Sequence, residues 1–449
     1  MLLIKNGRVL DPASQTDAAL DVLLEGDRIA RLGPNLSAPG AEILDATGLC
    51  VAPGFIDIHC HLREPGFELS ETIESGLRAA ARGGFTAVCP MANTRPVNDN
   101  ASITRAILNR AREIGGVRVW PIGAASKEQK GEALAEIAGM KEAGIVAVSD
   151  DGRPIATAKL LRQVMEYCRS LGLTVIDHCE DASLFAGNVM REGRRSAELG
   201  LPGMPAQTES IGVARDIQIC ELTGARLHVA HLSARQSLDL VRDAKRRGLP
   251  VTCEVTPHHF TLTDDDVRYD SHFKMNPPLA SRQDREALIA ALADGTVDAI
   301  ATDHAPHAAH LKQVEFDCAP FGVTGFETAL PLALTELVHT GRVPLLRIIE
   351  LFTTGPARVL GAASPAAGQR SIAAGQPADL TLFSLDREWT YHARDSASLS
   401  RNSPFDARSF RGAPAATLVA GAIVWNDGSL QEISFKHLRD TQEPGTRIH

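Results

Sequence analysis

Residues 54–66 read Gly54-Phe55-Ile56-Asp57-Ile58-His59-Cys60-His61-Leu62-Arg63-Glu64-Pro65-Gly66. The front half, Phe55 to His61, has the apolar, β-branched character of a buried strand, and Pro65-Gly66 closes it with a turn signal. Side chains alternate along a strand, so His59 and His61 point to the same side. Two imidazoles on one face at a strand end can grip one metal ion, and Arg63 is next in that alternation. Two satisfied structural histidines are the competing reading; His-x-His followed by Arg favours the metal.

Working outward, strand candidates recur at 54–61, 85–91, 117–122, 145–148, 174–178, 226–231, 251–255 and 297–302. Helical stretches lie between most of them, and several stop at glycine, as at Gly83-Gly84, Gly115-Gly116, Gly172 and Gly248. Eight strand-then-helix units predict an α/β fold, a parallel sheet closed into a (β/α)8 TIM-like barrel over 53–360. Residues 1–52 read as short strands broken by turns, and the pattern returns over 361–430. The two ends are expected to meet in one small β-sandwich domain with the barrel inserted between them. Residues 431–449 are left as a C-terminal tail.

A barrel places its chemistry at the C-terminal ends of its strands. Those ends carry His59 and His61, Asn93, Asp151, His178, His231 and Asp303; strands three and seven offer no obvious ligand. At Ser149-Asp150-Asp151-Gly152 a plain turn competes, but the position after strand four favours a ligand. Asp151 is preferred to Asp150, which points the other way if the strand continues.

Composition narrows the setting. The 449 residues carry a net charge of −9 with dispersed basic residues, so nothing suggests a nucleic-acid footprint or a polybasic anchor. The N-terminus lacks the long apolar core of a signal peptide, and no apolar run reaches the ~18 residues of a membrane span. The eight cysteines are scattered without a Cys-x-x-Cys pair, which fits buried thiols in a reducing cytoplasm.

Four histidines and two aspartates suit a pair of divalent ions such as Zn2+. Two dications set against two carboxylates and a bridging hydroxide leave one positive charge. Metal binding lowers the pKa of water towards ~7, which suits attack on an amide carbonyl. Asp303, in Thr302-Asp303-His304-Ala305-Pro306-His307, is placed both to ligate and to shuttle a proton.

With these residues in hand, the chain resembles the dihydroorotases of the amidohydrolase superfamily, in their longer bacterial form, over almost its whole length. Besides the opening stretch, the resemblance rests on Met91-Ala92-Asn93-Thr94-Arg95-Pro96-Val97, Ser149-Asp150-Asp151-Gly152, His178-Cys179-Glu180, Cys253-Glu254-Val255-Thr256-Pro257-His258-His259, Lys274-Met275-Asn276-Pro277-Pro278-Leu279, Ala301 to His307 and Pro320-Phe321-Gly322. It implies that His59, His61 and Asp303 hold one zinc, that His178 and His231 hold the other, and that Asp151 and a hydroxide bridge them. In related hydantoinases a carboxylated lysine bridges; residues 145–151 contain none.

The implied reaction is the reversible cyclisation of N-carbamoyl-L-aspartate to L-dihydroorotate in pyrimidine synthesis, with Asp303 as proton shuttle. Substrate contacts fall to His61, Arg63, Asn93, Asn276, His307, Phe321 and Gly322, with Arg63 pairing the free carboxylate. Two alternatives stand: a hydantoinase- or dihydropyrimidinase-type amidase, and an inactive structural partner of aspartate transcarbamoylase. A homodimer is expected, and assembly of an active enzyme with that transcarbamoylase is left open. One departure is Ala280, where the family often has Arg after Asn-Pro-Pro-Leu. Residues 308–319, weakly periodic, are expected to be a mobile lid. His310 is expected in a solvated loop, His228 as packing, and the His258-His259 pair is unassigned.

Overall fold

In this computed structural model, residues 1–369, 371–428 and 430 are described; the expected tail, 431–449, lies outside the described residues. Barrel strand β1 (Phe55–Cys60) pairs in parallel with β2 (Phe85–Pro90), and β2 with the first half of β3 (Arg118–Val119). Trp120-Pro121 interrupts β3, because proline has no N–H to give a ladder. The second half of β3 (Ile122–Gly123) pairs with β4 (Ala147–Val148). The order then runs through β5 (Thr174–Asp177), β6 (Leu227–Val229), β7 (Val251–Val255) and β8 (Ala299–Ile300). Side chains help to close the ring. Asp57 on β1 accepts from Thr302 N (3.0 Å) and Oγ1 (2.5 Å), and His61 N donates to the His304 carbonyl (2.8 Å). These are the eight parallel strands of the expected α/β barrel.

Helix boundaries follow caps. Asn100 accepts from Ser102 N and Ile103 N to start Ala101–Ile114, and Ser281 with Asp284 forms a capping box for Arg282–Asp294. Leu345–Phe352 and Thr354–Leu360 are the longest of the helices beyond the expected set. The first buries Ile348, Ile349, Leu351 and Phe352, and Phe352 stacks on Phe55 at 5.2 Å. The helix expected over 328–340 is Phe326–Ala333, continued as a wider turn through Leu334–Val338. Inside the barrel, small and branched residues fill the space, among them Ile56, Ile58, Ala87, Ile176, Ala299 and Ala301.

The two chain ends build one eight-stranded sheet. Cys50–Pro53 sits at its middle, pairing in parallel with Leu2–Asp11 and antiparallel with Leu380–Thr390. The sheet folds back on itself, with Ile29 N donating to the Gln376 carbonyl (2.9 Å), around a core that includes Ile4, Val9, Val22, Val51, Leu380 and Leu418. The joint to the barrel is polar, with Asp379 buried and Arg118 half-buried. Asp379 accepts from Arg118 Nε (2.7 Å) and Nη2 (3.0 Å) and from Ala420 N (2.7 Å). Seven cysteines are buried, Cys318 is exposed, and all are free. Among the described residues no helix is long and apolar enough to cross a membrane.

Asp379→Ala removes the acceptor for Arg118 and Ala420 N while Arg118, 35% exposed, stays hydrated, and is expected to cost about 1–3 kcal/mol in denaturant unfolding. A loss under ~1 kcal/mol shows the pair to be no stronger than a surface salt bridge.

Candidate metal centre and its cavity

At the C-terminal mouth of the barrel the side chains converge on Asp151. His59 Nε2 lies 3.3 Å and His231 Nε2 3.5 Å from its Oδ1, and His61 Nε2 lies 3.5 Å from its Oδ2. His178 Nδ1 is 3.6 Å from Oδ1 and 2.9 Å from His231 Nε2. Asp303 Oδ1 stands 3.1 Å from His61 Nε2 and 3.7 Å from His59 Nε2. The aspartate neighbour, Asp150, faces away and accepts from Ala125 N and Ser126 N. Two three-residue sets result, His59/His61/Asp151 and Asp151/His178/His231, sharing Asp151.

The donors fit ions. A tetrahedral ion with bonds of ~2.0–2.1 Å sets neighbouring ligand atoms about 3.3 Å apart, close to these separations. His59 Nε2 and Asp151 Oδ1 are buried without a hydrogen bond, an expensive state unless something else meets them. Electrostatics agree. Burial opposes charge on Asp151, yet His59, His178 and His231 hold its carboxyl well below the usual carboxylate range. Burial likewise opposes charge on His178, but Asp151 and Glu180 push it up to about 10. The cluster therefore draws positive charge to its centre. A further cluster, Asp177, Cys179 and Asp216, already has its cation: Arg215 Nε lies 2.7 Å from Asp216.

Each histidine is backed on its other nitrogen or left open. His59 Nδ1 meets Glu254 (2.7 Å), His61 Nδ1 meets Asn93 Oδ1 (2.9 Å) and His178 Nε2 meets Glu180 (3.3 Å). Strand seven, expected to offer no obvious ligand, brings Glu254 behind His59. His228, expected as packing, is also bonded: its Nε2 lies 3.1 Å from Glu254 and its Nδ1 2.8 Å from Thr252 Oγ1. His259 spans Thr256 Oγ1 (2.7 Å) and the Pro277 carbonyl (2.8 Å), which anchors the loop carrying Asn276. Burial pushes His258 down to about 4, and its Nε2 has no hydrogen-bond partner. Arg63, His231 and Asp303 all adopt positive φ, 62°, 29° and 44°; strained backbone of this kind collects at functional sites.

Above the cluster opens a cavity of about 320 Å3. All seven residues read as substrate contacts line it: His61, Arg63, Asn93, Asn276, His307, Phe321 and Gly322. His59 lies beneath its floor. Glu180 and Phe185 also line it and were not singled out from sequence. Arg63 Nε donates to the Pro306 carbonyl (3.0 Å), and burial lowers its pKa to about 10, so the guanidinium stays charged. Burial and the cations of Arg63 and Lys312 push His307 down to about 2; neutral, it donates Nε2–H to the Phe321 carbonyl (2.8 Å). Gly322 has φ 127°, and a Cβ there would stand 2.7 Å from Ala305 Cβ, so only glycine fits.

The expected mobile segment is docked here. Its short helix Ala309–Lys312 turns Lys312 inward, and Nζ donates to the carbonyls of Pro320 (2.8 Å), Ser271 (3.0 Å) and Lys274 (3.2 Å). His310 is exposed. The buried lysine ties the segment to both chain stretches that carry Asn276 and Phe321. An apolar, non-periodic stretch hides such an anchor from sequence reading.

A barrel with two histidine-aspartate sets sharing one carboxylate defines a metal-dependent amidohydrolase. The chain belongs to the dihydroorotase family. The family model described as Dihydro-orotase-like matches residues 48–237. Dihydroorotase of Solibacter usitatus (strain Ellin6076) is 54% identical over 426 residues, spanning 95% of this chain and 98% of that protein. Dihydroorotase of Syntrophotalea carbinolica is 49% identical, spanning 94% and 99%. Among solved structures, L-hydantoinase from Arthrobacter aurescens superposes with a TM-score of 0.85 at 25% identity, covering 96% of this chain and 97% of that one.

Lys312→Met removes three hydrogen bonds and leaves the Pro320 carbonyl unmet, while Ser271 O still accepts from Lys274 N and Lys274 O from Gly322 N. Amide hydrogen exchange across 309–322 is expected to rise at least tenfold while the barrel strands keep their protection; unchanged exchange refutes the anchor.

Proposed function

We propose that this chain is a dihydroorotase that interconverts N-carbamoyl-L-aspartate and L-dihydroorotate plus water in the de novo route to pyrimidines. The observation that carries the reading is the charged Arg63 guanidinium in the same cavity wall as Asp151 and Asp303. Dihydroorotate differs from a simple cyclic amide by a free carboxylate, and a fixed guanidinium is the group that selects it. Full-length likeness to dihydroorotases supports the same substrate. The hydantoinase alternative rests on shared fold, and residues 145–151 hold no lysine to bridge in its manner. The inactive-partner alternative is disfavoured by an intact donor set.

In this reading His59, His61 and Asp303 would hold one Zn2+ ion, His178 and His231 a second, and Asp151 would serve both. Such ions would supply an acidified water and polarise the ring carbonyl. The protein does the rest. Arg63 pairs the substrate carboxylate, and Asn93, whose Oδ1 is taken by His61, turns its NH2 to the ligand. Asn276 gives its Nδ2 hydrogens to Glu180 (3.0 Å) and leaves a buried, unpaired Oδ1 to accept from a ring N–H. His307 holds the Phe321-Gly322 backbone against the ring. In ring opening, Asp303 Oδ takes the proton of the attacking water and passes it to the leaving ring nitrogen. In cyclisation it removes the ureido proton. Asp303 suits this shuttle because it lines the cavity beside Asp151, with its Oδ1 3.1 Å from His61 Nε2. The protein works as a homodimer, alone or with aspartate transcarbamoylase, in the cytoplasm.

Zinc-loaded protein is expected to open L-dihydroorotate and to refuse hydantoin. Asp303→Ala should lose at least 10^3-fold in kcat, and Arg63→Gln should raise KM for dihydroorotate far more than it lowers kcat. Removing metal with a chelator should abolish turnover, and Zn2+ should restore it. Hydantoin opening without dihydroorotate opening overturns the substrate assignment.

A further inference from the structure

The barrel interior holds a carboxylate that the reaction above does not use. Glu254 is fully buried on β7. Its Oε1 lies 2.7 Å from His59 Nδ1 and 3.2 Å from the backbone N of His231; its Oε2 lies 3.1 Å from His228 Nε2. Three groups, from β1 and from β6 and its exit, thus meet at one carboxylate. The contact with His231 pins a residue whose φ is 29°.

We propose that Glu254 is the positioning residue that fixes His59, and through it the ion-holding set of His59, His61 and Asp303. This inference rests on the metal reading above. The chemistry is that of a carboxylate behind a ligand. With Nδ1–H donated to Glu254, His59 is held as the tautomer whose Nε2 lone pair faces Asp151 and Asp303. A carboxylate acceptor also makes that nitrogen a stronger donor than an amide or water acceptor does. His228 serves the carboxylate in turn. It donates Nε2–H to Oε2 and accepts the Thr252 hydroxyl at Nδ1 (2.8 Å), so its own tautomer is set from the bottom of the barrel. The negative charge also answers an imbalance at the centre. Two dications exceed Asp151, Asp303 and a hydroxide by one positive charge, and Glu254 places one negative charge directly behind the excess, on the side away from solvent. The effect is lopsided. Glu254 touches a side chain of the first set but only a backbone N–H of the second.

Glu254→Gln keeps the shape and removes the charge. The full-length wild type and variant, both stripped of metal, are titrated with Zn2+ against a chelator of known affinity, and their metal-free thermal unfolding is compared. The expected result is an ion bound about 10–100-fold more weakly with a second ion changed less than threefold, and an unfolding midpoint within a few degrees. Equal affinity for both ions in the two proteins overturns the proposal, as does an equal loss at both. If the glutamine variant does not fold, Glu254→Asp decides. It keeps the charge but withdraws it by about 1.5 Å, one carbon–carbon bond, and should weaken one ion selectively; unchanged binding overturns the proposal. Wild-type protein that binds no Zn2+ refutes the metal reading itself, an outcome distinct from failure of the variant.

Discussion

Four imidazoles around one buried carboxylate, with His59 Nε2 and Asp151 Oδ1 left without a hydrogen bond, favour positive charge at their centre. Asp151 sets this condition. It is 5% exposed, it stays ionised, and it lies within 3.6 Å of His59, His61, His178 and His231. Those five residues come from three other parts of the barrel besides its own, so the centre can form only when the ring closes. Ring closure and site assembly are therefore one event: the bond from His61 N to His304 O joins the last strand's exit to the first, one residue from Asp303.

The remainder of the molecule serves that centre by holding its walls. The sheet from the two chain ends clamps the outside of β3 through Asp379 and Arg118, and Thr381 reaches in to the Gly84 carbonyl (2.6 Å) at the start of β2. On the solvent side, Lys312 and His259 fasten the loops that carry Asn276, Phe321 and Gly322. Positioned groups of this kind lower the reorganisation needed during reaction. The cavity offers a cation for a carboxylate, a carbonyl oxygen for a ring N–H and an aspartate for proton transfer, all on fixed backbone.

Much of this was legible in the sequence. Alternation put His59 and His61 on one face, and glycine stops marked the helices, so eight strands could be counted and their ends searched for ligands. Asp151 over Asp150 followed from one-residue alternation, and the two do face opposite ways. What escaped depends on partners distant along the chain. Glu254 sits inside Val251–Val255, where a buried acidic residue gives no local signal; its partner His59 lies 195 residues away. Lys312 and His259 act by bonding backbone carbonyls, which no side-chain pattern records. The helix Leu345–Phe352 is apolar but short, and Thr353 separates it from the next, so neither showed a full helical period. The split in β3 comes from Trp120-Pro121, a signal visible in the sequence and given too little weight.

The central claim is that Asp151 is shared by two ions. An anomalous-scattering map at the zinc edge, from crystals of zinc-loaded protein, tests it directly. The account predicts two peaks about 3.5–4 Å apart, one against His59, His61 and Asp303 and the other against His178 and His231, both touching Asp151. A single peak, or a pair that leaves Asp151 uncoordinated, would contradict it.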